Sequence, residues 1–199
     1  MIVVLCSVMQ FGNAFTGNAM SPLQKEIEAH LNIDDSQFNL LFSARAITSI
    51  VFPFGLPLFL EKAGTRNTTI MFVGASVAGQ YMLIYGIHIK NYPVLILSRL
   101  VFGLSDLVPI MQQIIMCLWF TAEQLPIAVS LLLFLTKMAR AVSDNIASMV
   151  YNYNQNLESF FYIGLIVCAL SLLSAVVLTE IHARLIDSQT IRLNEAKAK

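Results

Sequence analysis

The sequence predicts an all-α protein that crosses a bilayer several times, and three observations carry that reading. The 199 residues are 57% hydrophobic, with a mean hydropathy of +0.71. Only 12% are charged, about half of the roughly 25% found in soluble domains. The apolar residues gather into six long runs, each near the roughly 20 residues that a helix needs to cross hydrocarbon. A chain this apolar cannot cover itself with polar surface, so the lipid bilayer is its first partner. The formal net charge of zero offers no basic surface for nucleic acid.

Taken in order, the runs are Ile2–Met20, Leu40–Leu60, Thr69–Ile89, Pro93–Phe120, Pro126–Tyr151 and Phe160–Ile181. Met1 stands almost inside the first, which predicts a very short N-terminal tail or a chain that is part of something longer. A cleaved leader ending near Ala14 or Ala19 lacks the basic stretch that should precede it. Between the first two runs, Ser21 and Pro22 signal a helix start, and Gln24, Lys25, Glu26, Glu28 and His30 follow. This segment reads as an amphipathic extension of the first helix, broken at Asn32–Asp35, with Ser36 as N-cap of the second span. Pro53 and Pro57 should bend the second helix and Pro109 the fourth. Ala75 and Gly79 form a small-residue face that lets helices approach closely. Residues 1–182 thus form a transmembrane bundle, and 183–199 a polar, helical cytosolic tail.

Basic residues set the orientation. Lys62 and Arg66 flank the second connection, and Arg184, Arg192, Lys197 and Lys199 lie in the tail, against Lys25 and Lys90 on the other side. Both termini are therefore expected in the cytosol. The sequon at Asn67, Thr68 and Thr69 falls on that side too and should carry no sugar.

Six ionisable residues fall inside the runs: Arg45, Arg99, Asp106, Lys137, Arg140 and Asp144. A charge near the bilayer centre costs several kcal/mol, so it is paired or faces a wet cavity. At about 1.5 Å per residue, Arg45, Arg99 and Asp144 are expected in the outer third, and Asp106, Lys137 and Arg140 near the midplane. Lys137, Arg140 and Asp144 share a helix face; that face should point inward, with Arg140 and Asp144 able to pair. Four cations against two anions suit a carboxylate-bearing solute, and Asp106 suits an amine. Asn13, Asn18, Gln112, Gln113 and Asn145 are polar neighbours that can complete such a site, though each can equally serve helix packing. Cys6, Cys117 and Cys168 sit in apolar runs with no His–Cys spacing that would hold a metal. His30, His88 and His182 lie near the run ends. No Ser–His–Asp, His–Glu–x–x–His or paired catalytic carboxylates are present, so neither an enzyme nor a cofactor is expected.

Two motifs connect these features. Pro57, Glu61, Lys62, Gly64 and Arg66 resemble the major facilitator superfamily loop, roughly Gly-x-Leu-Ala-Asp-Arg-x-Gly-Arg-Arg, with Pro57 in place of the first glycine and Thr65 in place of a base. The fourth run has that superfamily's Arg four residues before Gly, at Arg99 and Gly103, and closes on Trp119 and Phe120. The glycine–proline antiporter signature of its fifth span is absent. The stretches 38–45, 98–103 and 137–144 are most similar to the lysosomal dipeptide-transporter branch. The resemblance implies a six-helix half of the major facilitator fold, in an endomembrane or lysosomal membrane. It implies an amine site at Asp106 and a carboxylate site at Arg140 with Lys137. It also implies coupling through Arg99 and a gating loop of Glu61, Lys62, Gly64 and Arg66. A partner is expected: a second six-helix half, a second copy, or a larger membrane complex. The rival expectation is a non-transporting structural subunit built on a degenerate transporter half.

Overall fold

The computed structural model describes residues 2–154 and 156–197. The side chains of His182, Arg184, Asp187, Arg192 and Lys197, together with Lys199, lie outside the described residues, and so does that part of the orientation argument. All regular structure among the described residues is helical: α1 (Ile2–Gly17), α2 (Gln24–Leu31), α3 (Asp35–His88), α4 (Tyr92–Gly103), α5 (Val108–Trp119), α6 (Leu125–Asn154) and α7 (Leu157–Lys197), with 3-10 turns at Ser21–Leu23 and Leu104–Leu107. Asp35–His88, Tyr92–Trp119, Leu125–Asn154 and Leu157–Ile181 are each long and apolar enough to cross a membrane.

The predicted runs fall on helices, with three corrections. First, α1 stops at Gly17 and not Met20. The 3-10 turn at Ser21–Leu23 then separates it from α2, so the amphipathic segment is a distinct helix and not an extension. Second, α3 starts at Asp35, and its N-cap is Asp34 and not Ser36. The Asp34 side chain accepts the backbone N–H of Gln37, and the Gln37 side chain returns to the backbone N–H of Asp34, which satisfies two otherwise orphaned donors. Third, the second and third runs are limbs of one helix, 35–63 and 65–88, folded back at a single residue. Gly64 has φ 73° and ψ 165°, a conformation nearly reserved for glycine. The reversal brings Thr68 Oγ1 to the Phe59 carbonyl at 3.3 Å and the Phe59 ring within 6.2 Å of Phe72. The polar tail is helical, as expected, and continues α7 as far as Lys197.

The fourth run is two helices, α4 and α5, joined by the 3-10 turn, with Pro109 in the first turn of α5. Proline lacks an N–H and cannot continue an α-ladder from the previous turn. α1 packs against α6 and α7, while α3 packs along α4 and against α7. Small residues set these distances. A Cβ on Gly79 would lie 2.9 Å from Phe102 Cα, and one on Gly12 would lie 3.0 Å from Cys168 Cα.

The interior has two apolar cores. One contains Phe15, Leu41, Leu83, Leu95, Ala147 and Phe161. The other contains Met9, Leu56, Val73, Leu107, Leu132 and Ala175, nearer the Gly64 turn. Between them, every spanning segment carries a buried or half-buried polar residue: Asn13 on α1, Arg45 and Gln80 on the limbs of α3, Arg99 on α4, Thr136 and Ser143 on α6, and Ser171 on α7. The bundle is crossed by a polar belt.

Candidate functional site

Arg45 organises the belt. Its guanidinium grips Asp106 with two bonds, Nη2 to Oδ1 at 2.5 Å and Nε to Oδ2 at 2.9 Å. Its remaining Nη1 donates to the Gly17 carbonyl, at the C-terminus of α1. That end of a helix carries unsatisfied carbonyls and partial negative charge, which a cation complements. One side chain thus ties α1, α3 and the 3-10 break of the fourth span together. Gly103 makes the approach possible. A Cβ there would fall 2.8 Å from the Arg45 carbonyl and 2.7 Å from Thr48 Cβ.

Two arginines share one aromatic ring. The Arg45 and Arg99 guanidinium carbons lie 5.1 and 5.9 Å from the Phe102 ring centroid, within cation–π range. Arg99 is 3% exposed, and its Nη2 has no hydrogen-bond partner among the described residues. The cluster therefore holds two cations, one carboxylate and one orphaned donor.

The flanking polar groups are already engaged. Asn13 Nδ2 donates to the Ser105 carbonyl at 3.1 Å, and Ser105 Oγ donates to Asn13 Oδ1 at 2.8 Å. Gln112 Nε2 donates to the Cys6 carbonyl, Gln80 Nε2 to the Phe161 carbonyl at 3.1 Å, and Ser143 Oγ to the Phe15 carbonyl at 2.6 Å. Asn145 bonds its own helix at Ala141. Asn13 and Gln112 are therefore helix stitches, and Asn18 and Gln113 are exposed.

The predicted set separates into two groups. Arg45, Arg99 and Asp106 come together. Counting residues set Arg45 in the outer third and Asp106 near the midplane. They meet because α3 packs along α4 and the 3-10 turn that carries Asp106, and the long Arg45 side chain spans the difference in height. Lys137, Arg140 and Asp144 do not join them inside the bundle. Lys137 and Asp144 are exposed and Arg140 is half-buried. The buried stripe of α6 is Ala128, Leu132, Thr136, Ala139, Ser143 and Ala147, small enough to press against α1, with no room for a long cation. Among the described residues Arg140 and Asp144 make no ion pair, so the expected pairing within the helix is not formed. Only 22% of the most apolar stretch of α6 is buried, against 50% for α3. The face of α6 that carries the charges looks out of this bundle.

The predicted gating residues surround the Gly64 turn. Glu61 and Lys62 are exposed, while Arg66 Nη2 bonds Glu180 Oε2 at 2.8 Å, linking the turn to α7. At the opposite end, His88 Nδ1 meets Glu158 Oε1 at 3.1 Å. The described thiols are free, Cys6 and Cys168 buried and Cys117 exposed. Sequence reasoning missed Gln80 and Ser143 as belt members. A lone Gln inside the run 69–89 was the visible signal for the first, but Ser143 is indistinguishable from any packing serine.

These features can be set beside known families. The profile of the Major Facilitator Superfamily matches residues 6–193. No curated protein matches the chain. The matched region takes in every spanning helix, the Gly64 turn and the belt, and members of that family are membrane transporters. The chain belongs to the major facilitator superfamily.

Proposed function

We propose that the chain is one six-helix half of a solute carrier that moves a small carboxylate-bearing solute, an amino acid or a short peptide, by alternating access. The observation that carries this is the outward charged face of α6. Lys137, Asp144 and Asn145 are exposed within a membrane span, and Arg140 is partly so. Charge facing hydrocarbon costs several kcal/mol, so this face requires a wet cavity and a covering partner. A second six-helix half supplies both in the rocking mechanism of this superfamily. The cations of α6 then provide the field that draws a carboxylate into the cavity between the halves. The dipeptide branch and an endomembrane location remain part of this proposal and rest on the stretches 38–45, 98–103 and 137–144.

The second reading is a non-transporting subunit of a larger membrane complex. One observation favours it: Asp106, the acid of the belt, is already occupied by Arg45, as in a purely structural brace. Uptake of radiolabelled alanine and alanyl-alanine into vesicles separates the two. Arg140→Ala lowers uptake at least about tenfold, the scale of one lost charge-assisted contact, at an unchanged protein level in the membrane. Uptake equal to wild type removes Arg140 from the pathway. No uptake by the wild type, with the mutant losing its bound partners, favours the subunit.

A further inference from the structure

We propose that the Arg45–Asp106 pair is itself the solute site, and that its ligand is a compact zwitterion. The solute's carboxylate takes the Arg45 fork from Asp106, and its ammonium takes the carboxylate of Asp106. This deepens the transporter reading above and rests on it.

Four features of the pair point this way. The first is access: the Arg45 and Asp106 side chains are 15% and 21% exposed, whereas Arg99 is 3% exposed. The pair has an open edge; Arg99 does not. The second is chemical identity. Asp106 binds Arg45 through two parallel bonds at 2.5 and 2.9 Å, the fork geometry that any carboxylate can adopt. A solute carboxylate replaces it one for one. The third is that the guanidinium is anchored independently of Asp106. Its Nη1 is held by the Gly17 carbonyl and its face by Phe102, so Arg45 stays in place when the carboxylate changes. Asp106, in contrast, sits on the 3-10 turn Leu104–Leu107, between Gly103 and Pro109. A backbone discontinuity of that kind absorbs a change of direction more readily than a continuous helix.

The fourth is charge. Inserting a zwitterion into an ion pair leaves every charge paired. A simple anion would take Arg45 and strand Asp106. A simple cation would take Asp106 and strand Arg45. An unpaired charge in a site of low dielectric is strongly disfavoured. The orphaned Arg99 Nη2, across the Phe102 ring, adds a donor that a carboxylate with free lone pairs can satisfy once the site opens. Asn13 and Ser105 are bonded to each other, so selection falls to the charges. Asp106 occupies the fork as a built-in stand-in for the solute.

Titration calorimetry on the full chain in detergent micelles, with three alanine derivatives, tests the exchange. L-alanine carries both charges, N-acetyl-L-alanine only the carboxylate, and L-alaninamide only the ammonium. On the wild type, alanine binds at least about tenfold more tightly than either derivative, since each lacks one charge-assisted contact. In Asp106→Asn the order inverts: Arg45 is left without its anion, so N-acetyl-alanine binds more tightly than alanine. Asp106→Glu keeps the wild-type order and controls for folding. A brace with no ligand role produces no such inversion. Equal binding of alanine and N-acetyl-alanine by the wild type overturns the proposal, as does an unchanged order in Asp106→Asn. If N-acetyl-alanine binds as well as alanine and its binding depends on Arg140, ion-pair exchange falls while the carboxylate reading stands. If none of the three binds, ion-pair exchange falls, and the carrier reading is decided by the uptake of alanyl-alanine. The wild-type series decides the matter even where Asp106→Asn fails to fold.

Discussion

Two glycine-to-alanine substitutions should move stability in opposite directions, and the difference measures how closely α3 and α4 are pressed together. A Cβ on Gly103 would lie 2.7 Å from Thr48 Cβ and 2.8 Å from the Arg45 carbonyl oxygen. Carbon atoms in good contact sit about 3.5–4.0 Å apart, so the first overlap approaches 1 Å. Neither neighbour can rotate away: one is backbone, and the other is the branch point of a buried threonine on α3. Relief requires α4 to back off from α3, which also loosens the grip of Arg45 on Asp106. Overpacking of this kind costs about 1–3 kcal/mol, partly offset by the roughly 0.5–1 kcal/mol that Ala gains over Gly in a helix. The net expectation is a loss of about 1–2 kcal/mol. Gly74, on the same α3 helix, has nothing within 4 Å of a built Cβ. Gly74→Ala should therefore show only the helical gain. For a chain of this length 1 kcal/mol corresponds to about 2–4 °C. Thermal unfolding of the detergent-solubilised full chain, followed by the loss of the monodisperse peak, reads both. Gly103→Ala should melt several degrees below Gly74→Ala. Equal midpoints, or Gly103→Ala the more stable, would refute the close-packing argument and with it the account of how Arg45 reaches Asp106.

Two further substitutions test the start and the turn of α3 by the same assay. Asp34→Ala removes the side-chain arm of the capping box and keeps the backbone N–H that donates to Gln37, and should cost about 1 kcal/mol, whereas Ser36→Ala should be close to neutral; the reverse order would restore Ser36 as the cap. Gly64→Ala meets no atom within 4 Å, so its penalty is purely conformational, about 1–3 kcal/mol for a side chain at φ 73° and ψ 165°. Gly64→Asn should not rescue it, because asparagine tolerates the left-handed helical region and not this one; a stable Gly64→Asn would place the turn in a different conformation.

What the sequence revealed and what it hid divide along a physical line. The all-helical, membrane-crossing character was legible because the long runs had to satisfy one local requirement, enough apolar length to cross hydrocarbon. The Gly64 turn was legible because a single residue type supports that backbone. Side-chain partners were not. Arg45 and Asp106 are 61 positions apart, and their meeting depends on how α3 packs on α4 and the 3-10 turn; the start of α3, too, was set five positions late by the run of apolar residues. The start was misplaced because Asp35, Ser36, Gln37 and Asn39 are polar yet helical, a choice made by the Asp34 cap and not by hydropathy. The direction of the α6 charges failed for another reason. Spacing showed that Lys137, Arg140 and Asp144 share a face, but a shared face has no sign: it can turn toward its own bundle or away from it. The small residues of the opposite stripe, Ala139, Ser143 and Ala147, decide it, because the close contact of α1 with α6 needs them and Ser143 bonds the Phe15 carbonyl. Once they are committed to α1, the charged face must look outward. Among the described residues the inward charges are thus those of the Arg45 cluster, and the proposed function assigns the α6 charges to a cavity between two halves. If that division holds, Asp106 variants alter which solute is bound, while Arg140 variants alter how much of any carboxylate is taken up.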